Sequence, residues 1–162
     1  MRSLLSAGLD TTIVGIGNAL YAFATNPAQW QALREKPALA RPAFDEVLRW
    51  ESPIQTFFRT TTHMVDIGGV EIPQDAKVLL FLASANRGPR RWHEPERFDV
   101  NRRAAGHVAF GAGIHLCVGQ TLARLEAEML MTALAARVER IDAQAQQQPA
   151  AFASLPDREA PT

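Results

Sequence analysis

Reactive chemistry in this sequence concentrates on its single cysteine, Cys117, and the residues packed closely around it. The segment reads Phe110-Gly111-Ala112-Gly113-Ile114-His115-Leu116-Cys117-Val118-Gly119-Gln120-Thr121-Leu122-Ala123-Arg124. A thiolate is a nucleophile and a soft metal ligand, and the positive end of a helix, with its unpaired N–H groups, favours it over the thiol. Apolar residues at helical spacing from Cys117 to Val138 (Leu122, Leu125, Met129, Leu130, Ala133 and Leu134 on or near one face) predict an amphipathic helix that places Cys117 at such an end. Gly111 and Gly113 permit tight left-handed backbone beside a flat cofactor, and Gly119 keeps the first helical turn free of a side chain. Phe110 supplies an apolar wall, and His115 is placed to reach a carboxylate on the cofactor's rim. The bland alternative is a buried structural cysteine with glycines serving a turn.

Three further groupings have chemical potential. Glu46 and Arg49 lie three apart on one helix face, a spacing at which any Glu/Arg pair forms a weak bridge. Arg59 falls in the aromatic run Phe57-Phe58-Arg59, where an isolated arginine most often faces solvent. Ala7-Gly8-Leu9-Asp10-Thr11-Thr12 puts an acid beside an alcohol; taken alone, Asp10 also suits the cap of a helix starting at Thr11.

The string of phenylalanine, two glycines, a basic residue, cysteine, glycine and Leu-Ala-Arg resembles the haem-binding loop of the cytochrome P-450 family. The resemblance runs from residue 1 to about 141. It implies the C-terminal part of a haem-thiolate monooxygenase fold, mainly α with a small antiparallel β-sheet, and haem b (iron protoporphyrin IX) as cofactor. Cys117 is then the axial ligand of the iron. Phe110, Gly111, Gly119, His115 and Arg59 are cofactor-binding residues, the last two through propionates. The family joins its Glu-x-x-Arg to a second arginine, and Glu94-Pro95-Glu96-Arg97-Phe98 supplies Arg97 for a structural triad with Glu46 and Arg49. Asp10 and Thr11 resemble the acid–alcohol pair that delivers protons at the oxygen site, which implies dioxygen activation with electrons from a ferredoxin-type donor. That donor is expected near the cysteine face, where Arg102, Arg103, His107 and Arg124 offer positive charge.

The strings from Glu51 to Thr62 and Ser84 to Arg87 are similar to soluble bacterial members that oxidise para-substituted benzoic acids. The resemblance implies a pocket of Ser3, Ala7, Gly8, Ile54 and Phe57, Ser3 sharing a helix face with Thr11. Intact family members carry a much longer N-terminal portion, so a second reading stands beside the enzyme: a truncated, non-catalytic remnant that does not bind haem stably. The pocket-lining hairpin usual in the family is not recognisable around Phe152 and Leu155.

The elements that must position these groups follow from periodicity. Leu4 to Phe23 reads as a long helix stopped by Asn26-Pro27, Pro27 to Arg34 as a short one, and Ala43 to Trp50 as a third closed by Ser52-Pro53. Thr56 to Thr62 and Lys77 to Phe81 read as strands, and Met64 to Ile67 with Val70 to Ile72 flank Gly68-Gly69 as a hairpin. Residues 87–113 are irregular beyond what a compact domain keeps without a functional reason. Residues 1–141 thus read as the monooxygenase part and 142–162 as a Gln/Ala-rich, low-complexity tail.

Composition excludes other classes. With 17 basic and 17 acidic residues in 162, the neutral net charge gives no electrostatic reason to expect a nucleic-acid partner, which needs a basic face that displaces counterions. The apolar start superficially resembles a signal peptide, but Asp10 in its middle argues against secretion or a membrane span. A single cysteine fits a reducing compartment, and cytoplasm is the expected location.

Overall fold

The computed structural model describes residues 2–143, with side chains from residue 8 onward. Helix α1 (Arg2–Thr25) ends where Asn26 donates its side-chain amide to the Ala22 carbonyl, and Pro27 opens α2 (Pro27–Glu35) at the one place where a missing N–H costs nothing. A 3-10 turn (Pro37–Leu39) leads into α3 (Ala40–Trp50), which starts three residues earlier than its apolar pattern suggests. Because α3 is covered on most sides, it buries Ala40, Ala43, Phe44, Val47 and Leu48 together with the charged Glu46 and Arg49.

The strands form two separate two-stranded antiparallel ladders, not one sheet. β1 (Thr56–Thr60) pairs with β4 (Lys77–Phe81), Arg59 opposite Val78. β2 (Val65–Ile67) and β3 (Val70–Ile72) are joined through Gly68 and Gly69, both at positive φ (64° and 84°), as a two-residue hairpin turn requires. A short helix α4 (Leu82–Asn86), absent from the sequence reading, follows β4 directly.

After the irregular stretch comes α5 (Gln120–Arg137). It begins three residues beyond Cys117, so the cysteine lies in the turn before the helix and not on its first turn. The buried face matches expectation only in part: Leu134 packs against the core and Leu130 and Ala133 are half-buried. Ala127, Met131 and Ala135, four apart, pack into the core, whereas Leu122, Leu125 and Met129 face outward. Helix α5 is apolar on more than one side, and its small residues allow the close approach to α3 that a row of leucines would prevent.

The core lies where α1, α2, α3 and α5 meet, with Phe98 and Val100 of the irregular stretch inserted into it. Phe23 makes edge contacts with Trp30 (5.1 Å between ring centroids) and Phe98 (5.6 Å), and Trp50 meets Phe98 at 5.5 Å. Phe23→Ala is expected to lower the unfolding free energy by about 3–5 kcal/mol. Phe58→Ala, at a position 63% exposed on β1, should change it by no more than about 0.5 kcal/mol. Urea denaturation followed by tryptophan fluorescence distinguishes the two.

Candidate functional site

Glu46 and Arg49 sit one turn apart on the inward face of α3, each with 0% solvent exposure. Glu46 Oε2 accepts from Arg49 Nε at 2.7 Å and Oε1 from Arg49 Nη2 at 2.9 Å. The other Arg49 N–H groups reach the carbonyls of Asn86 (3.0 Å), Pro95 (2.8 Å) and Arg97 (3.2 Å), which satisfies the whole guanidinium.

The third member of this centre is Arg102, not Arg97. Arg102 Nε lies 3.0 Å from Glu46 Oε1, while the Arg97 side chain is 58% exposed and bonds Glu94 at 3.2 Å. The cause is the turn closed by Arg97 N–H on the Glu94 carbonyl at 3.1 Å. It directs the Arg97 carbonyl inward to Arg49 and Arg102 and its side chain outward. Arg102 is fixed further by the carbonyls of His93 (2.6 Å) and Glu94 (3.0 Å), and the Asp99 N–H adds a bond to Glu46 at 3.1 Å.

From this anchor the chain runs to the cysteine loop. Gly111 (φ 74°) and Gly113 (φ 61°) both occupy left-handed backbone. A Cβ on Gly111 would also meet the His115 carbonyl oxygen at 2.9 Å. A 3-10 turn over Gly113–His115 precedes Cys117, whose N–H donates to the Phe110 carbonyl at 2.8 Å and closes the loop. The thiol is exposed. A Cβ on Gly119 would lie 3.9 Å from Cys117 Sγ, so glycine leaves the space beside the sulfur open. Ile114 (96% exposed) and Val118 (87%) flank it as bare apolar surface.

Phe110, Gly111, His115, Cys117 and Gly119 are thus gathered in one loop, with His115 exposed at its 3-10 turn. Arg59 stacks over Phe57 at 4.6 Å and donates to the Phe58 carbonyl at 2.8 Å. Ile54 is half-buried, and Phe57 is exposed rather than part of the core. Asp10 is exposed and Thr11 half-buried inside an unbroken α1, which excludes Asp10 as a helix cap. Gly8 has open space where a side chain would be. The side chains of Ser3 and Ala7 lie outside the described residues, as do Phe152 and Leu155.

Asp45 and Asn86 support the loop without having stood out in the sequence as site residues, and His107, expected to offer charge to a partner, supports it as well. Asp45 Oδ1 accepts from Arg124 Nε at 2.8 Å and His107 Nε2 at 3.3 Å, and Asn86 holds the Val108 N–H at 2.7 Å. The signals of Asp45 and Asn86 are ordinary: an acid beside Glu46 and an asparagine after a strand. Burial pushes the Asp45 carboxyl up and is the largest single influence. Hydrogen bonds from His107 and Arg124, with the Arg124 charge, outweigh it and hold the group below its ordinary value. This geometry also corrects the expected basic docking face. Arg102 is committed to Glu46, while Arg124 and the buried His107 are committed to Asp45, leaving Arg103 as the exposed member of the four.

The cytochrome P450 family model matches residues 1–152. A cytochrome P450 of Rhodopseudomonas palustris, CYP199A2, is 56% identical over 142 residues, which cover 88% of this chain and 34% of that protein. The chain belongs to the cytochrome P450 family. Another relative, the 6-deoxyerythronolide B hydroxylase of Saccharopolyspora erythraea, is 42% identical over 83% of this chain and 33% of its own length. Among solved structures, cytochrome P450 CYP109Q5 from Chondromyces apiculatus superposes with a TM-score of 0.79 at 47% identity, covering 84% of this chain and 35% of that one. The chain therefore has part of the P450 fold and spans about a third of the length of these relatives.

The residues fit the haem that the P450 family implies. Among the described residues no group of three or more His, Cys, Asp or Glu side chains gathers to hold a bare ion. The lone Cys117 thiol instead opens beside glycine and apolar side chains, a surface suited to a metal carried in a flat macrocycle. Among the described residues no helix is long and apolar enough to cross a membrane.

Arg49→Ala takes the donor from Glu46 Oε2 and from the carbonyls of Asn86, Pro95 and Arg97 and is expected to cost about 3–5 kcal/mol, whereas Arg97→Ala should change stability by no more than about 0.5 kcal/mol. Asp45 has a depressed pKa in the folded chain. The stability it contributes should be constant above its unfolded value of about 3.9 and be lost as pH falls through the lower folded value. Asp45→Asn should remove this dependence, as measured by urea unfolding across a pH series.

Proposed function

We propose that this chain carries the thiolate side of a haem-dependent monooxygenase that inserts one oxygen atom of dioxygen into a small aromatic carboxylic acid. The observation that carries the reading is the accessible Cys117 thiol, held in a glycine loop that its own N–H closes on Phe110 at 2.8 Å. Cys117 ligates the iron of haem b, Phe110, Gly111 and Gly119 border the macrocycle, and Arg59 and His115 hold its propionates. When bound, the haem would supply dioxygen activation, with Cys117 as its electron-donating thiolate ligand. Asp10 and Thr11 hold and pass protons on the α1 side, where position within reach of the acceptor matters more than acidity. Ser3, Ala7, Gly8, Ile54 and Phe57 border the substrate, and a ferredoxin-type protein supplies the electrons.

A para-substituted aryl acid finds support in cytochrome P450 CREJ, solved with (4-ethylphenyl) dihydrogen phosphate and matching this chain at 41% identity with a TM-score of 0.79 over 33% of its length. The half-buried Arg59 and the exposed His115 provide donor groups, and Phe57 an aromatic face, for the anionic groups and rings this reading requires.

A second reading, that the chain alone is a non-catalytic remnant unable to hold haem, is favoured by the bare apolar surface at Ile114 and Val118 and the outward row Leu122, Leu125 and Met129. Haem reconstitution of the full chain separates the two. The reduced carbon monoxide complex should show the red-shifted Soret band of thiolate ligation, and Cys117→Ser should lose it. Failure of the unsubstituted chain to take up haem would overturn the enzyme reading and leave the remnant. With haem bound, a para-substituted benzoate should perturb the Soret band; no change across a series of such acids would exclude that substrate class.

A further inference from the structure

Between the Glu46 centre and Cys117 the chain is gripped a second time, by side chains from three separate elements. Asp45 comes from α3, His107 from the irregular stretch and Arg124 from the first turns of α5. Asp45 Oδ1 accepts from both Arg124 (2.8 Å) and His107 Nε2 (3.3 Å). His107 Nδ1 accepts the Ala109 N–H at 3.2 Å, which leaves Nε2 carrying the proton and makes the ring a fixed donor to Asp45. Arg124 is steadied by a bond from Nη1 to Gln120 Oε1 at 2.8 Å.

Phe110 lies between the two donors. Its ring centroid is 5.7 Å from that of His107 and 4.5 Å from the Arg124 guanidinium carbon, so a histidine ring and a cation both contact it. The same residue's carbonyl receives the Cys117 N–H. Two helices are thereby connected, through one carboxylate and one phenyl ring, to the backbone of the thiolate ligand.

We propose that Asp45, His107 and Arg124 form a clamp that fixes Phe110 and, through its carbonyl, sets the position of Cys117. His107 is then a positioning residue for the sulfur. Only the consequence for haem ligation rests on the haem-thiolate reading; the loop geometry belongs to the chain itself.

Hydrogen exchange at the Cys117 amide in the haem-free full chain measures the clamp directly. His107→Phe keeps an aromatic ring but removes both nitrogens, and Cys117 exchange should become about tenfold faster while Ala127 and Met131 within α5 exchange as before. His107→Gln retains an N–H for Asp45 and should restore Cys117 exchange to within about twofold. Unchanged Cys117 exchange in His107→Phe overturns the clamp, and so does equal acceleration throughout α5, which would mean general destabilisation. In haem-loaded protein, His107→Phe should shift part of the reduced carbon monoxide complex from the thiolate-type to the thiol-type Soret band. Faster exchange with an unaltered band overturns the positioning role. If the unsubstituted chain takes up no haem, the functional reading fails while exchange still decides the clamp.

Discussion

A carboxylate with no access to water imposes its requirements on everything around it. Glu46 sits in the interior of α3, and removing such a group from solvent costs several kcal/mol unless every lone pair finds a donor. Arg49 comes from the same helix, but one guanidinium is not enough. The Asp99 N–H and Arg102 complete the shell, and both lie in the irregular stretch. Arg49, buried in turn, draws in the carbonyls of Asn86, Pro95 and Arg97. A segment without regular secondary structure is thus fixed by the demands of one buried ion pair, and Phe98 and Val100 enter the core as part of the same arrangement.

The cysteine loop inherits its position from that segment. Asn86, whose carbonyl serves Arg49, uses its side chain to hold the Val108 N–H and to bond Ser52. Asp45, adjacent to Glu46 on α3, reaches the other way to His107 and Arg124. One helix therefore orders the loop from two sides. The small side chains of Ala127 and Ala135 let α5 pack closely against α3, which places Arg124 near Asp45. Replacing that contact row with the leucines at 122 and 125 would separate the helices and break the bond.

Apolar side chains are distributed unevenly around this framework. The α3 side is filled, while Leu9, Ile13 and Val14 of α1, Leu122, Leu125 and Met129 of α5, and Ile114 and Val118 beside the thiol all face outward. Exposed apolar surface on this scale is characteristic of surfaces that bind something. Near Cys117 a flat, apolar macrocycle is a chemically suitable occupant, since glycines leave the sulfur accessible and the flanking Ile114 and Val118 are apolar.

By itself the sequence determined the helices up to Trp50, the Gly-Gly hairpin, the β4 strand and the segment containing Cys117, because each depends on local periodicity, a proline or a glycine turn. It also specified the Glu46–Arg49 pair, since residues three apart on a helix share a face wherever that helix packs. Tertiary structure decided the rest. Arg97 and Arg102 are both arginines in one irregular stretch, and only the turn at Glu94 to Arg97 determines which side chain points inward. The buried face of α5 was ambiguous because the helix is apolar on several sides, and packing selected the row of Ala127, Met131 and Ala135. Asp45, His107 and Arg124 lie up to 79 positions apart. No pattern along the chain reveals that they meet at one carboxylate beneath Phe110, because that contact exists only once the helices have packed.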